Sequence, residues 1–301
     1  MPEAAEEVGR LLEAVTEDAL RRWVETLSVP RHGLLNPEAL QRTGELIERH
    51  FGKVGIPAER DYFTYKGMRY FNVVATLEGR ERDLPPWLAG AHYDAAAYSP
   101  GADDNASAVA ALLVAAAALG GTRPRRSIRF VGFSIEEPQS GFDWKYRHGS
   151  RHFARQAFRR WERYEGVFIL ESVGYTDPAP GSQRLPVRLP IPVPETGTFL
   201  GMVGNRRAHK MMRAFEEAAR RHVPELTVVS HRFPLGGWLV PMTRLSDHAP
   251  FWDCGYPAVM LTDTAFLRNP NYHRSTDRPE TLDYGFLTKV TRALVAALAE
   301  G

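Results

Sequence analysis

A chain of 301 residues that is 44% hydrophobic and 25% charged can bury one large core or two small ones, and its net charge of only +2 gives no case for nucleic acid as a partner. One cysteine, Cys254, excludes a disulfide framework within the chain and leaves the redox compartment open. It lies in the apolar stretch FWDCGYP and reads as an inert buried thiol.

The N-terminal stretch MPEAAEEVGRLLEAV is acidic and has no long apolar core, so it is not read as a secretory signal. No apolar run of about 18 residues is read anywhere, so no membrane span is expected, and the expected location is cytoplasmic. Amphipathic helices are expected over 5–28 and 37–54, with Leu40, Leu46, Ile47 and Phe51 near a helical period in the second. Asn36-Pro37 supplies a cap and an N1 proline to that helix, and Gly55-Ile56-Pro57 ends it. Strands follow at FNVVATL (71–77) and WLAGAHYD (87–94), then a helix of small apolar residues at about 105–119. SIRFVGFSI (127–135) is the next strand, a helix runs from about 149 to 161, and VFILES (167–172) is a strand. Residues 177–196, DPAPGSQRLPVRLPIPVPET, are proline-rich without a helical period and read as a long ordered loop or the edge of a lid. Strand 199–204, helix 207–222, strand 257–263 and a terminal helix over 282–300 complete the chain. Strands alternating with helices imply an α/β fold, a three-layer αβα arrangement on a mixed, mostly parallel twisted sheet. No repeat and no Gly/Ser linker divides the chain, so one domain over 1–301 is expected.

In such sheets ligands gather beyond the carboxyl ends of the strands. The residues there are selective: His92 and Asp94; Asp103 and Asp104 at the mouth of the small-residue helix; Glu136 and Glu137 in FSIEEP; Glu171; Asp263; and Tyr272-His273. Each alone has a plain explanation as a solvated strand end, a helix cap or a surface loop. So much negative charge at one sheet edge repels itself unless cations hold it. Two imidazoles with several carboxylates and no thiolate suit Zn²⁺ or a similar first-row ion. One Asp bridging two ions gives each a His, a terminal carboxylate and the shared Asp, as in two-metal hydrolases. One carboxylate of the EE pair is then left over, free to act as a general base.

The motifs AHYD (91–94), PGADDNASA (100–108), FSIEEP (133–138), LESVGY (170–175), SDHAPFWDCGYPA (246–258) and YHRSTD (272–277), in this order, carry a family resemblance. The chain resembles the bacterial dizinc aminopeptidases, within the zinc exopeptidase family that includes glutamate carboxypeptidase II-like enzymes and glutaminyl cyclases. The resemblance runs from about residue 20 to 298. It implies the zinc exopeptidase fold and two Zn²⁺ ions, one held by His92 and Glu171, the other by Glu137 and His273, with Asp104 as the bridge. It implies Glu136 as the general base, Asp94 as the partner that orients His92, and Tyr272 as the hydroxyl that steadies the oxyanion. It also implies a cis bond at Asp104–Asn105. The implied reaction is hydrolysis of the N-terminal bond of a peptide with a free N-terminus.

Glu171 departs from the Asp that many members carry. GSRH within GFDWKYRHGSRHFA is slightly similar to the single-zinc cyclase branch, whereas PGADDNASA and LESVGY favour the dizinc branch; His148 and His152 are read as helix-surface residues. Asp247 and His248 are read either as pocket wall or as a helix cap, and Asp277 as a cap before Pro279 or a partner near His273. The substrate pocket is expected from the 177–196 loop and from 231–245. The rival readings are a glutaminyl-cyclase-like aminoacyltransferase, a carboxypeptidase of the same fold, and a binding module without activity. Side-chain preference and oligomeric state are left open.

Overall fold

The computed structural model describes residues 2–140, 146–185 and 192–301. Its centre is an eight-stranded sheet in the order β1-β2-β4-β3-β5-β8-β6-β7. In chain order the strands are β1 (Ala58–Tyr65), β2 (Met68–Leu77), β3 (Trp87–His92), β4 (Ile128–Phe133), β5 (Gly166–Glu171), β6 (Leu200–Asn205), β7 (Val228–Phe233) and β8 (Ala258–Thr262). Strands β4, β3, β5 and β8 run parallel, and so do β6 and β7. The β1/β2, β2/β4 and β6/β8 pairs are antiparallel. Every residue of β3 and of β5 is buried, as expected of parallel strands covered on both faces.

The helices are α1 (Pro2–Glu13), α2 (Glu17–Leu27), α3 (Pro37–Lys53), α4 (Ala108–Leu119), α5 (His148–Arg159), α6 (His209–His222), α7 (His248–Asp253) and α8 (Tyr284–Glu300). One apolar cluster joins α1–α4, α6 and α8 to one face of the sheet. A second joins Phe153 of α5 and Phe251 and Trp252 of α7 to Phe133 and Ile169 on the other face. Two helical layers on one sheet give the expected three-layer αβα architecture. All of α4 except Ala117 is buried, because its alanines let helices and strands approach from every side. The 18 residues Ala102–Leu119 are in fact long and apolar enough to cross a membrane, contrary to the sequence expectation, but 94% of that stretch is buried in the core.

Other expectations are corrected locally. The helix expected over 5–28 is two helices: Thr16 adopts extended geometry (φ −117°, ψ 149°) and its hydroxyl accepts the Ala19 N–H at 3.3 Å, starting α2 afresh. Pro37 does open α3, but the Asn36 side chain makes no capping bond. Strand β1 was not expected. Its alternation is weak because, as an edge strand, it buries only Phe63 fully. It turns into β2 through Lys66 (φ 46°) and Gly67 (φ 78°), the two left-handed residues of a tight hairpin. Strand β7, the opposite edge, was also missed. Cys254 is half-buried at the end of α7, not buried as expected.

Candidate metal centre

The register of the parallel strands sets the site. His92, the last residue of β3, pairs with Phe133, the last of β4; Glu171, the last of β5, pairs with Thr262, the last of β8. Their exits therefore reach one sheet edge at one level. Asp104 enters from the turn 102–107 ahead of α4, where the Asp104–Asn105 peptide bond is cis.

Two donor sets result. His92 Nε2 lies 3.2 Å from Asp104 Oδ1 and 3.4 Å from Glu171 Oε2. His273 Nε2 lies 3.0 Å from Asp104 Oδ2 and 3.2 Å from Glu137 Oε2. Within each set of three, the ligand atoms lie within 4.8 Å of one another, and the two oxygens of Asp104 face different sets. His92 Nε2 and both Asp104 oxygens are buried and have no hydrogen-bond partner among the described residues. Buried polar atoms are normally satisfied, so orphaned donors converging in this way fit a cation. Nitrogen-and-oxygen sets built on one imidazole each fit zinc. Without a cation the carboxylates act on the imidazoles alone. At His273 burial works against the charge, but Glu137 and Asp104 outweigh it and push the ring up to about 11. Burial pushes the Glu137 carboxyl up to about 7.

Buried side chains hold the loops that carry these donors. Asp94 accepts the backbone N–H of Glu136 at Oδ1 (2.9 Å) and of Glu137 at Oδ2 (3.0 Å). Its Oδ1 also lies 3.3 Å from His92 Nδ1, so the carboxylate that holds the EE pair stands beside the imidazole that it is expected to orient. Asp277 makes the same clamp on the opposite loop, accepting the N–H of Asp103 (2.9 Å) and Asp104 (3.2 Å). It is neither of the roles read from sequence. Asp103 points away from the donor sets, accepting the Gly174 N–H and the Asn269 amide at 2.9 and 2.7 Å. Asp263 likewise accepts the N–H groups of Tyr175 and Ala265, both at 2.8 Å. Ile135 has φ 56°, a strained value for a β-branched residue, immediately before Glu136.

Ser246 does not cap α7; its hydroxyl donates to Glu171 Oε2 at 2.7 Å. Asp247 forms no cap either and is buried, and burial pushes its carboxyl up to about 7. His248 Nε2 pairs with the Thr243 carbonyl at 2.7 Å, and burial pushes its ring down to about 3, a neutral structural imidazole. His152 lies 3.2 Å from Asp61 and His148 packs on Tyr65, both apart from the donor sets. Residues 141–145 of the cyclase-like stretch lie outside the described residues.

Glu136 is buried beside the two sets, with Oε1 unpartnered. Burial first, then Glu171 and Asp247, hold its carboxyl well above the usual range against the pull of His92. Tyr272 stacks on His273 (centroids 3.9 Å apart, 16° between planes). Tyr272 and Glu171 also line an apolar pocket of about 970 Å³ including its open mouth. Phe199, Met202, Val203, Phe233, Met242 and Met260 furnish much of its wall. Leu185 and Val193 of the proline-rich segment reach it, as do residues of 231–245; residues 186–191 lie outside the described residues.

The model of peptidase family M28 matches residues 72–298. Uncharacterized protein YfbL of Escherichia coli K12 is 32% identical over 272 residues, which is 87% of this chain and 81% of that protein. The probable zinc metalloprotease Lema_P086240 of Leptosphaeria maculans is 26% identical over 262 residues, 77% of this chain and 57% of that one. Among solved structures, the LapA aminopeptidase of Legionella pneumophila superposes with a TM-score of 0.75 at 18% identity, covering 98% of this chain and 74% of that chain. The glutaminyl cyclase of Porphyromonas gingivalis superposes at 0.71 and 17% identity, covering 95% and 98%. At these identities the structural likeness is one of fold.

Proposed function

We propose, on the premise that this chain belongs to peptidase family M28, that it is a two-zinc aminopeptidase releasing N-terminal residues with large apolar side chains. The observation that carries this reading is the pair of donor sets sharing Asp104, with Glu136 the carboxylate of the EE pair that belongs to neither set. His92 and Glu171 would hold one ion, Glu137 and His273 the other. Zinc bound there supplies Lewis-acid polarisation of the scissile carbonyl and lowers the pKa of a coordinated water towards ~7.

The chain supplies the proton transfers. Glu136 takes the proton of the attacking water and passes it to the leaving amine. Asp94 keeps Glu136 and Glu137 at their angle by holding both N–H groups. The Tyr272 hydroxyl, kept protonated because burial and the surrounding carboxylates raise its pKa, donates to the developing oxyanion. The apolar pocket beside Glu171 takes the first side chain, and its desolvation favours leucine-like and aromatic groups over charged ones.

The likeness to a glutaminyl cyclase fold supports a second reading, an aminoacyl cyclisation at the same site. A panel of leucyl-, phenylalanyl-, alanyl-, glutamyl- and lysyl-anilides, an N-acetylated peptide and a peptide with N-terminal Gln separates the two. Fastest turnover of the leucyl and phenylalanyl compounds, lost with chelator and regained with Zn²⁺, is expected. Release of pyroglutamate without anilide cleavage would move the assignment to a cyclase, and cleavage of the acetylated peptide from its other end to a carboxypeptidase.

A further inference from the structure

Arg31 lies outside the stretch matched by the family model, in the segment between α2 and α3, yet it is among the most deeply buried large side chains. A buried guanidinium is normally paired with a carboxylate. This one is satisfied by five carbonyls instead. Nη1 donates to Leu27 O (2.8 Å), Val29 O (3.1 Å) and Pro100 O (2.6 Å). Nε donates to Tyr93 O (2.9 Å) and Nη2 to Gly101 O (2.9 Å).

The acceptors have a pattern. Tyr93 stands between His92 and Asp94, and Pro100-Gly101 open the turn that delivers Asp104. One planar fork therefore ties the exit of β3 to the bridging-aspartate turn, and both to the end of α2. The turn has little slack: Gly101 has φ 62°, and a Cβ there would sit 2.4 Å from Asp104 O and 3.2 Å from Arg31 Nη2. Burial lowers the guanidinium only to about 10, with Asp94, Asp277, Asp104 and Glu137 opposing the shift through space, so it stays charged at neutral pH.

We propose that Arg31 is a positioning residue for the metal centre: its fork fixes the distance between the His92 and Asp104 loops, and so sets the affinity of the donor set that those residues share. The inference rests on the zinc reading above. A rigid fork is what the role requires, since Lys offers charge without bidentate reach. Arg31→Lys isolates that geometry, because the positive charge and its repulsion of a cation are retained.

Metal-free wild type and Arg31→Lys are titrated with Zn²⁺ against a chromophoric chelator, and each is unfolded thermally with and without zinc. Arg31→Gln, which removes charge and fork together, is the second variant. If the inference holds, Arg31→Lys binds zinc about 10-fold or more weakly, in the range that supporting groups around metal ligands command. Its stability loss is then larger with zinc bound than without. Wild-type affinity in Arg31→Lys, or equal stability losses with and without zinc, overturns it and leaves Arg31 a packing residue. So does failure of both variants to fold in excess zinc. Absence of zinc binding by the wild type would strike the metal reading itself and not Arg31 in particular.

Discussion

The Glu136-Glu137 pair shows how far one residue's chemistry depends on its neighbour's. Glu137 reaches His273 and Asp104, so a cation can neutralise it. Glu136, one position earlier, follows the left-handed Ile135 and belongs to neither donor set. Glu136→Gln keeps shape and volume and removes the acceptor of the proton. We expect kcat to fall about 10²–10⁴-fold with zinc content and the thermal midpoint unchanged. Turnover and metal analysis on the same preparation check this; full activity would place the base elsewhere. The adjacent carboxylates, the YH pair and the AHYD motif were legible at this scale because each is a short local run of carboxylate, imidazole or phenol groups, in the first and third cases directly after or within an apolar strand. Ser246 was not singled out as a support, and Asp277 was left between a cap and a partner near His273, because Ser and Asp near helix starts look like caps until their partners are known.

At the scale of elements, the start of α5 is stapled to the exit of β4. The N–H groups of Arg147, His148 and Gly149 donate to the carbonyls of Glu136, Ile135 and Ser134 at 2.8, 2.7 and 3.0 Å. A Cβ on Gly149 would lie 2.2 Å from Ser134 O and 2.4 Å from Asn72 Oδ1, and the nearer obstacle is backbone that cannot rotate away. Gly149→Ala is therefore expected to cost about 1–3 kcal/mol, read as a lower urea midpoint, and to lower kcat by displacing Glu136. An unchanged midpoint would mean that α5 docks more loosely than its backbone bonds indicate. The interior strands were legible because they are short apolar runs between turn signals. The edge strands β1 and β7 were not, because all but one residue of each is at least partly exposed and the apolar pattern fades.

For the whole molecule, the acidic core makes stability depend on pH and metal together. Without zinc, burial pushes Asp247 and Asp277 up to about 7, and Glu136 and Asp103 well above the usual range. The folded chain then holds protons that the unfolded chain releases above about pH 4, so these groups lose stability as pH rises towards 7. His92 and His273, raised by their carboxylate partners against burial, extend the loss above about pH 6.5. Asp104, held low by His273 and His92 against its own burial, and His248, pushed down by burial, work in the opposite sense, but they are outnumbered. The metal-free protein is therefore expected to melt at progressively lower temperature from pH 5 to pH 8. Zinc, which displaces these protons, should flatten or reverse the trend. Calorimetry across that range, with chelator and with zinc, tests it; a metal-free midpoint that rises with pH would contradict the charge accounting.

The sequence by itself determined the α/β class, the interior strands and the donor types, since hydrophobic period and ligand chemistry are properties of residues and their near neighbours. It also carried the order of motifs by which the family could be recognised. That Asp94 and Asp277 clamp opposing loops, and that a distant arginine ties those loops together, were decided only by the tertiary structure. Those relations join segments tens of residues or more apart, and a hydrogen bond between distant backbones leaves no periodic trace along the chain.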